Sequence, residues 1–151
     1  MIIERVPNGQ IAAGILKYED PELQKNVLDN LKIDKGAWVQ SVVESISILE
    51  GNWLRMYAVI DENKIKGYMI ATNCNNPPLS KYIMINYLTL FGVEDQDRVE
   101  WGLKLLGEIK QWSESLNCKQ IIAICKNKLM ARLYAQYGFQ IMPDVLIKLE
   151  W

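Results

Sequence analysis

The chain has 151 residues, half of them hydrophobic and 23% charged, with a net charge of −1. That size and balance fit one domain with a sizeable core and argue against wholesale disorder. No Lys/Arg block marks a nucleic-acid-binding face and no apolar run approaches the ~20 residues of a membrane span; the lack of histidine excludes Ser-His-Asp, Cys-His and histidine-ligated zinc chemistry.

Residues 1 to 6 suit a short edge strand, and Pro7-Asn8-Gly9 is a turn signal. Ile11 to Tyr18 is apolar, and its periodicity fits either helix or strand. Pro21 after Asp20 suits a helix start, and Leu23, Val27, Leu28 and Leu31 make an apolar stripe to about Lys32. Asp34-Lys35-Gly36 breaks the chain. Trp38, Val39, Val42, Val43, Ile46 and Leu49 mark a second helix, closed by Gly51-Asn52. Trp53 to Ile60, a polar turn at 61–64, and Ile65 to Thr72 predict a hairpin. Asn73 to Ser80 is a loop placed to reach over a binding cleft. Lys81 to Phe91 predicts a long strand. Strict alternation puts Tyr82, Met84, Asn86, Leu88 and Leu90 on one face, and Ile83, Ile85, Tyr87, Thr89 and Phe91 on the other.

A helix is predicted from about Arg98 to Leu116, with Val99, Leu103, Leu106 and Ile109 beside a stripe of Trp101, Leu105 and Trp112. Gln120 to Cys125 is short and almost wholly apolar, the pattern of a strand buried on both faces. Asn127 suits the N-cap of a following helix, whose inward stripe is Met130, Leu133, Tyr134 and Tyr137. Gly138 suits the left-handed residue that ends it, and Phe139 can pack back on its last turn. Pro143-Asp144 is a turn, and Val145 to Trp151 alternates as a closing strand. The order predicts an α/β fold (α+β by some schemes): a mixed, mostly antiparallel twisted sheet flanked by helices, in a single domain over residues 1–151.

The spacing of Asn127, Met130, Tyr134 and Gly138-Phe139 resembles the signature of the GCN5-related N-acetyltransferase superfamily, and the element order from about Trp53 onward is similar to that fold. The resemblance implies acetyl transfer from acetyl-CoA to an amine, small-molecule or protein-borne, by direct attack. Tyr134 would be the general acid that protonates the departing thiolate, a role open to a phenol with an ordinary pKa of ~10. Asn127 and Met130, the backbone of Leu88, Thr89, Leu90 and Phe91, and the loop around Arg98, Trp101, Gly102 and Leu103 would hold the cofactor. A well-capped amphipathic helix whose tyrosine fills the core gives the same residue pattern.

The family's next helix opens with a Gln/Arg-x-x-Gly-x-Gly/Ala loop whose amides bind the pyrophosphate. Aligned through Leu105-Leu106, Asp97 stands in place of Gln/Arg and Glu100 in place of the first glycine; only Gly102 keeps the pattern. Asp97 and Glu100 have capping-box spacing, which would satisfy the helix's own amides, and with Glu94 and Asp95 they oppose a bound pyrophosphate. Glu44 is a candidate acceptor-side carboxylate, with a solvated helix face as the plainer reading. Cys125 reads as a buried structural thiol.

The degenerate loop, the Trp101 and Trp112 spacing and the stretch 116–121 are similar to acetyltransferase-like proteins of tailed bacteriophages. A cytoplasmic setting (a host's, for a phage protein) is expected: the N-terminus lacks a signal-peptide plan, and three cysteines, Cys74, Cys118 and Cys125, lack metal-ligand spacing. Neither a metal, a nucleic acid nor a membrane is an expected partner, and a homodimer is left open. The contrasting reading is a catalytically silent member of the fold that binds a protein through a Trp-rich face.

Overall fold

The computed structural model describes residues 1–17, 32, 34–76, 78, 81–125 and 128–140. The helix expected from Pro21, the turn at Pro143-Asp144, the strand expected from Val145 to Trp151, and Asn127 lie outside the described residues. The elements run β1 (Ile2–Val6), α1 (Gly9–Leu16), α2 (Lys35–Leu49), β2 (Leu54–Asp61), β3 (Lys64–Asn73), β4 (Tyr82–Leu90), α3 (Asp95–Ser115), β5 (Gln120–Ala123) and α4 (Lys128–Gln136).

Among the described residues the strands form one five-stranded sheet in sequence order, antiparallel from β1 to β4, with β5 added parallel to β4. The β2–β3 hairpin turns on Glu62 and Asn63, at φ 50° and 60°, a left-handed pair whose twist matches the flanking strands. The expected turn signals at Asn8 and Asp34 prove to be helix N-caps. Asn8 Oδ1 accepts from the Ile11 amide at 3.0 Å, and Asp34 Oδ2 from the Ala37 amide at 2.9 Å. Short polar side chains serve turns and caps equally well, so the two are hard to tell apart before coordinates exist.

Alternation along the strands splits the core in two. Met56, Ala58, Tyr68 and Ile70 face α1 and α2, where Trp38, Val42 and Ile46 recur four residues apart on one helix face. Tyr57, Val59, Met69 and Ala71 face the other way, onto Trp101, Leu105, Ile109 and Trp112 of α3. Each fully buried aliphatic side chain contributes roughly 1.5–3 kcal/mol.

Two strands depart from the sequence expectation. β4 does not alternate strictly: Ile70 pairs with Tyr87 but Ala71 with Ile85, so Asn86 is an extra residue. This bulge puts Ile83, Ile85, Leu88 and Leu90 together on the α3 face, while Tyr87 and Phe91 turn to the α2 side. β5 is buried on one face rather than two. Ile121 and Ala123 pack on the α3 side, and Ile122 and Ile124 stay 41% and 44% exposed, because α1 and α2 cover only the earlier strands among the described residues. No described helix is long and apolar enough to cross a membrane.

Candidate active site

The bulge at Asn86 lies where β4 loses its parallel neighbour. Pairing with β5 runs from Tyr82↔Gln120 to Ile85↔Ala123, and a last backbone bond joins the Ile124 amide to the Ile85 carbonyl at 3.4 Å. From Asn86 to Leu90 β4 continues along β3 alone among the described residues. A bulge raises local twist and bends its strand, and here it coincides with the end of the β4–β5 pairing. The Thr72 hydroxyl, donating to Asn86 Oδ1 at 2.9 Å, fixes the bulge from β3. The stretch Asn86–Leu90 is thus the part of β4 that borders β5's end without pairing to it among the described residues.

Leu88, Thr89 and Leu90 are buried, and Phe91 is half-buried at the strand's end. On the far face of the bulge, Trp38 Nε1 donates to the Tyr87 hydroxyl at 3.1 Å, and the rings meet edge to face at 5.2 Å. Gly67 of β3 is required here: a Cβ would overlap the Thr89 carbonyl oxygen and lie 2.7 Å from Leu90 Cδ2.

Tyr134 belongs to the same core cluster as Leu88, Leu90 and Trp101 and is only 4% exposed. Its ring meets Tyr137 at 6.1 Å and Phe139 at 5.0 Å, both edge to face. Gly138 ends α4 at φ +96°, and the Phe139 amide bonds back to the Tyr134 carbonyl at 3.1 Å, which sets Phe139 against the phenol ring. Burial pushes the Tyr134 hydroxyl well above the usual phenol range, with the nearby Cys125 thiol and Tyr137 adding to the effect. The phenol is therefore a firmly held proton.

The expected pyrophosphate loop is not a loop. α3 begins at Asp95, so Asp97 to Gly102 already lie in continuous helix, and the Arg98 amide bonds to the Glu94 carbonyl at 2.9 Å. Asp97 and Glu100 therefore do not form a capping box. Glu94 is the N-cap residue and makes no side-chain cap bond, while Glu100 pairs with Lys104 at 3.2 Å one turn further on. Asp95 and Asp97 both suit a helix's first turn, where carboxylates complement the dipole, and this moves the start three residues earlier than expected.

The residues assigned to that loop scatter accordingly. Trp101 is interior, Leu103 is 47% exposed, and Arg98 is half-buried. Gly102 leaves room for a side chain rather than a ligand: a Cβ would overlap the Tyr137 ring, whose hydroxyl donates to the Arg98 carbonyl at 3.2 Å. Burial pushes the Tyr137 hydroxyl up to about 12, although the Arg98 charge pulls the other way. Met130 lies on helical backbone in α4.

Three further expectations change. The described part of the 73–80 loop lies at the opposite end of β4 from Asn86–Leu90. The Cys74 amide bonds to the Tyr82 carbonyl at 2.9 Å, and Asn75 Nδ2 to the Leu116 carbonyl at 3.1 Å. Cys125 is exposed rather than buried, because β5 stops at Ala123. Glu44 is on the solvated face of α2, taking a bond from Gln40 Nε2 at 2.8 Å. Sequence reading missed the Asn86 bulge and the Gly67 contact; the lone glycine inside a strand was the one visible signal for the latter.

A fit test for acetyl-CoA therefore divides. The part of β4 past Ile85 has no strand pairing on the β5 side among the described residues, which is where an amide-bearing thioester arm would have to lie. The start of α3 does not suit the pyrophosphate: from Glu94 to Glu100 four carboxylates face one guanidinium.

No family model and no curated protein matches the sequence. Solved structures do resemble the fold. An integron cassette protein from the V. cholerae mobile metagenome has a TM-score of 0.72 at 15% identity, covering 99% of this chain and 92% of its own. A predicted acetyltransferase from Clostridium acetobutylicum, solved with acetyl-CoA, has a TM-score of 0.69 at 14% identity, covering 99% and 95%. An aminoglycoside 6′-N-acetyltransferase from Acinetobacter haemolyticus has a TM-score of 0.68 at 12% identity, covering 100% and 99%. The mixed sheet with its helices is the fold of the GCN5-related N-acetyltransferases over nearly the whole chain.

Proposed function

We propose that the protein is an N-acyltransferase that moves an acetyl group from a thioester donor to an amine in a gap between β4 and β5 past Ile85. The observation that carries this reading is the end of the β4–β5 pairing at the Asn86 bulge, with Tyr134 in the adjoining core. Acetyl-CoA would supply an acyl carbon already activated for attack, which suits a chain without histidine. The β4 backbone from Leu88 to Phe91 would hold and orient the amide-bearing arm. Tyr134 would keep a proton on its hydroxyl oxygen, since burial raises its pKa, and release it to the sulfur as the carbon–sulfur bond breaks. The amine's proton leaves to solvent, which fits a site whose described carboxylate candidate, Glu44, is turned outward.

The test is acetyl transfer measured with a panel of amines, including an aminoglycoside, a polyamine and an aromatic amine, with Tyr134→Phe as the variant. A general acid is worth about 10²–10⁴ in rate. Tyr134→Phe should therefore lower kcat at least ~100-fold with KM nearly unchanged. Equal kcat in both proteins would remove the phenol from the chemistry.

The carboxylates at the start of α3 favour a second reading, a silent module of the same fold that binds a protein partner. Against a Trp-rich docking face stands the burial of Trp38, Trp101 and Trp112; of the described tryptophans only Trp53 is exposed, at 54%. Absence of any thioester binding would select this reading.

A further inference from the structure

We propose that the site recognises its acyl donor by the thioester end alone, so that an uncharged acyl-pantetheine thioester binds at least as well as acetyl-CoA. This rests on the acyl-transfer reading and narrows its donor class. Three independent observations carry it.

The first is charge. The connection from β4 to α3 is only 91–94, so the start of α3 lies at the end of the strand that borders the gap. Glu94 and Asp95 are exposed there and Asp97 is half-buried. Asp95 and Asp97 already occupy the first turn, where an anion would otherwise be attracted. A carboxylate about 6 Å from a phosphate in largely aqueous surroundings weakens binding roughly three- to tenfold per charge.

The second is backbone. A phosphate-binding loop works by offering unbonded amides. Here the chain has wound into helix, amides from Arg98 onward are bonded within it, and only the first-turn amides at 95–97 stay outside the helix's own bonds, beside the carboxylates of Asp95 and Asp97. The third is space. Glycine in such a loop lets phosphate oxygens approach the backbone, but the space beside Gly102 is taken by the Tyr137 ring. Lys66 Nζ, which donates to the Gly92 carbonyl at 3.2 Å, joins Arg98 as a second cation near this connection, still against four carboxylates, and Lys104 is paired with Glu100. The carboxylates lie from Glu94 onward, past the end of β4 at Leu90, so they bear on the phosphate end of a donor before its amide-bearing arm.

Calorimetry with acetyl-pantetheine and with acetyl-CoA at two salt concentrations tests this without knowing the acceptor. The expected result is an acetyl-pantetheine Kd equal to or below that of acetyl-CoA. Added salt should tighten acetyl-CoA, by screening repulsion, and leave acetyl-pantetheine unchanged. The double change Asp95→Asn with Asp97→Asn should tighten acetyl-CoA about tenfold or more and not affect acetyl-pantetheine. Acetyl-CoA binding tenfold tighter than acetyl-pantetheine and weakened by salt would overturn the inference while leaving acyl transfer intact. No binding of either thioester at millimolar concentration would overturn both.

Discussion

Replacing Gly102 with Ala pits a helix-propensity gain against a steric conflict, and the structure says which wins. Gly102 lies inside the 21-residue helix α3, so Ala there would ordinarily stabilise by about 1 kcal/mol. The new Cβ, however, would overlap the Tyr137 hydroxyl and ring and lie 2.9 Å from Cε1. The ring must swing away. That breaks its bond to the Arg98 carbonyl, worth about 0.5–1.5 kcal/mol, and its edge-to-face contact with Tyr134, worth about as much again. Lost burial of the ring adds to this, so Gly102→Ala should destabilise by a net ~1–2 kcal/mol. In a Tyr137→Ala background the obstacle is gone, and the same substitution should stabilise by about 1 kcal/mol. Urea unfolding of the four proteins reads both signs, at constant slope, as opposite shifts of the midpoint. A Gly102→Ala protein more stable than its parent would refute the assignment of that glycine to ring packing.

Gly67→Ala is expected to be worse, because the new Cβ would meet the Thr89 carbonyl oxygen, a backbone atom with nowhere to go. A loss of about 2–4 kcal/mol, with weakened thioester binding because β4 shifts, should appear in unfolding and calorimetry together; an unchanged midpoint would contradict the close approach. Stability should also fall in alkali. Below about pH 10 Tyr134 and Tyr137 are protonated in both folded and unfolded chains, so neither contributes a slope. Above it the unfolded phenols ionise first, and stability declines as pH rises toward the folded value of about 12 for Tyr137, and beyond it for Tyr134. Tyr137→Phe should flatten part of that decline in unfolding midpoints taken from about pH 8 to 11.

Much of this molecule is readable from its residues. Gly138-Phe139 encodes both the end of α4 and the ring set against Tyr134, because a left-handed residue followed by an aromatic has few other uses. The hairpin and the Trp38–Val42–Ile46 stripe are equally plain. The Asn86 bulge is not, because nothing in an alternating apolar run marks which residue goes unpaired. The start of α3 was hidden for a different reason: Asp95 and Asp97 serve a helix's first turn as readily as a loop. Site geometry thus hinges on pairing and packing, while the identity of the elements follows from local pattern.

The account stands on the gap beside β4 being where a thioester donor lies. Backbone amide resonances followed by NMR during titration with acetyl-pantetheine test that directly. The largest shifts should fall on residues 86–91, 124–125 and Tyr134, with α1 and α2 little changed. Saturable shifts confined to other parts of the chain, or none at millimolar thioester, would contradict it.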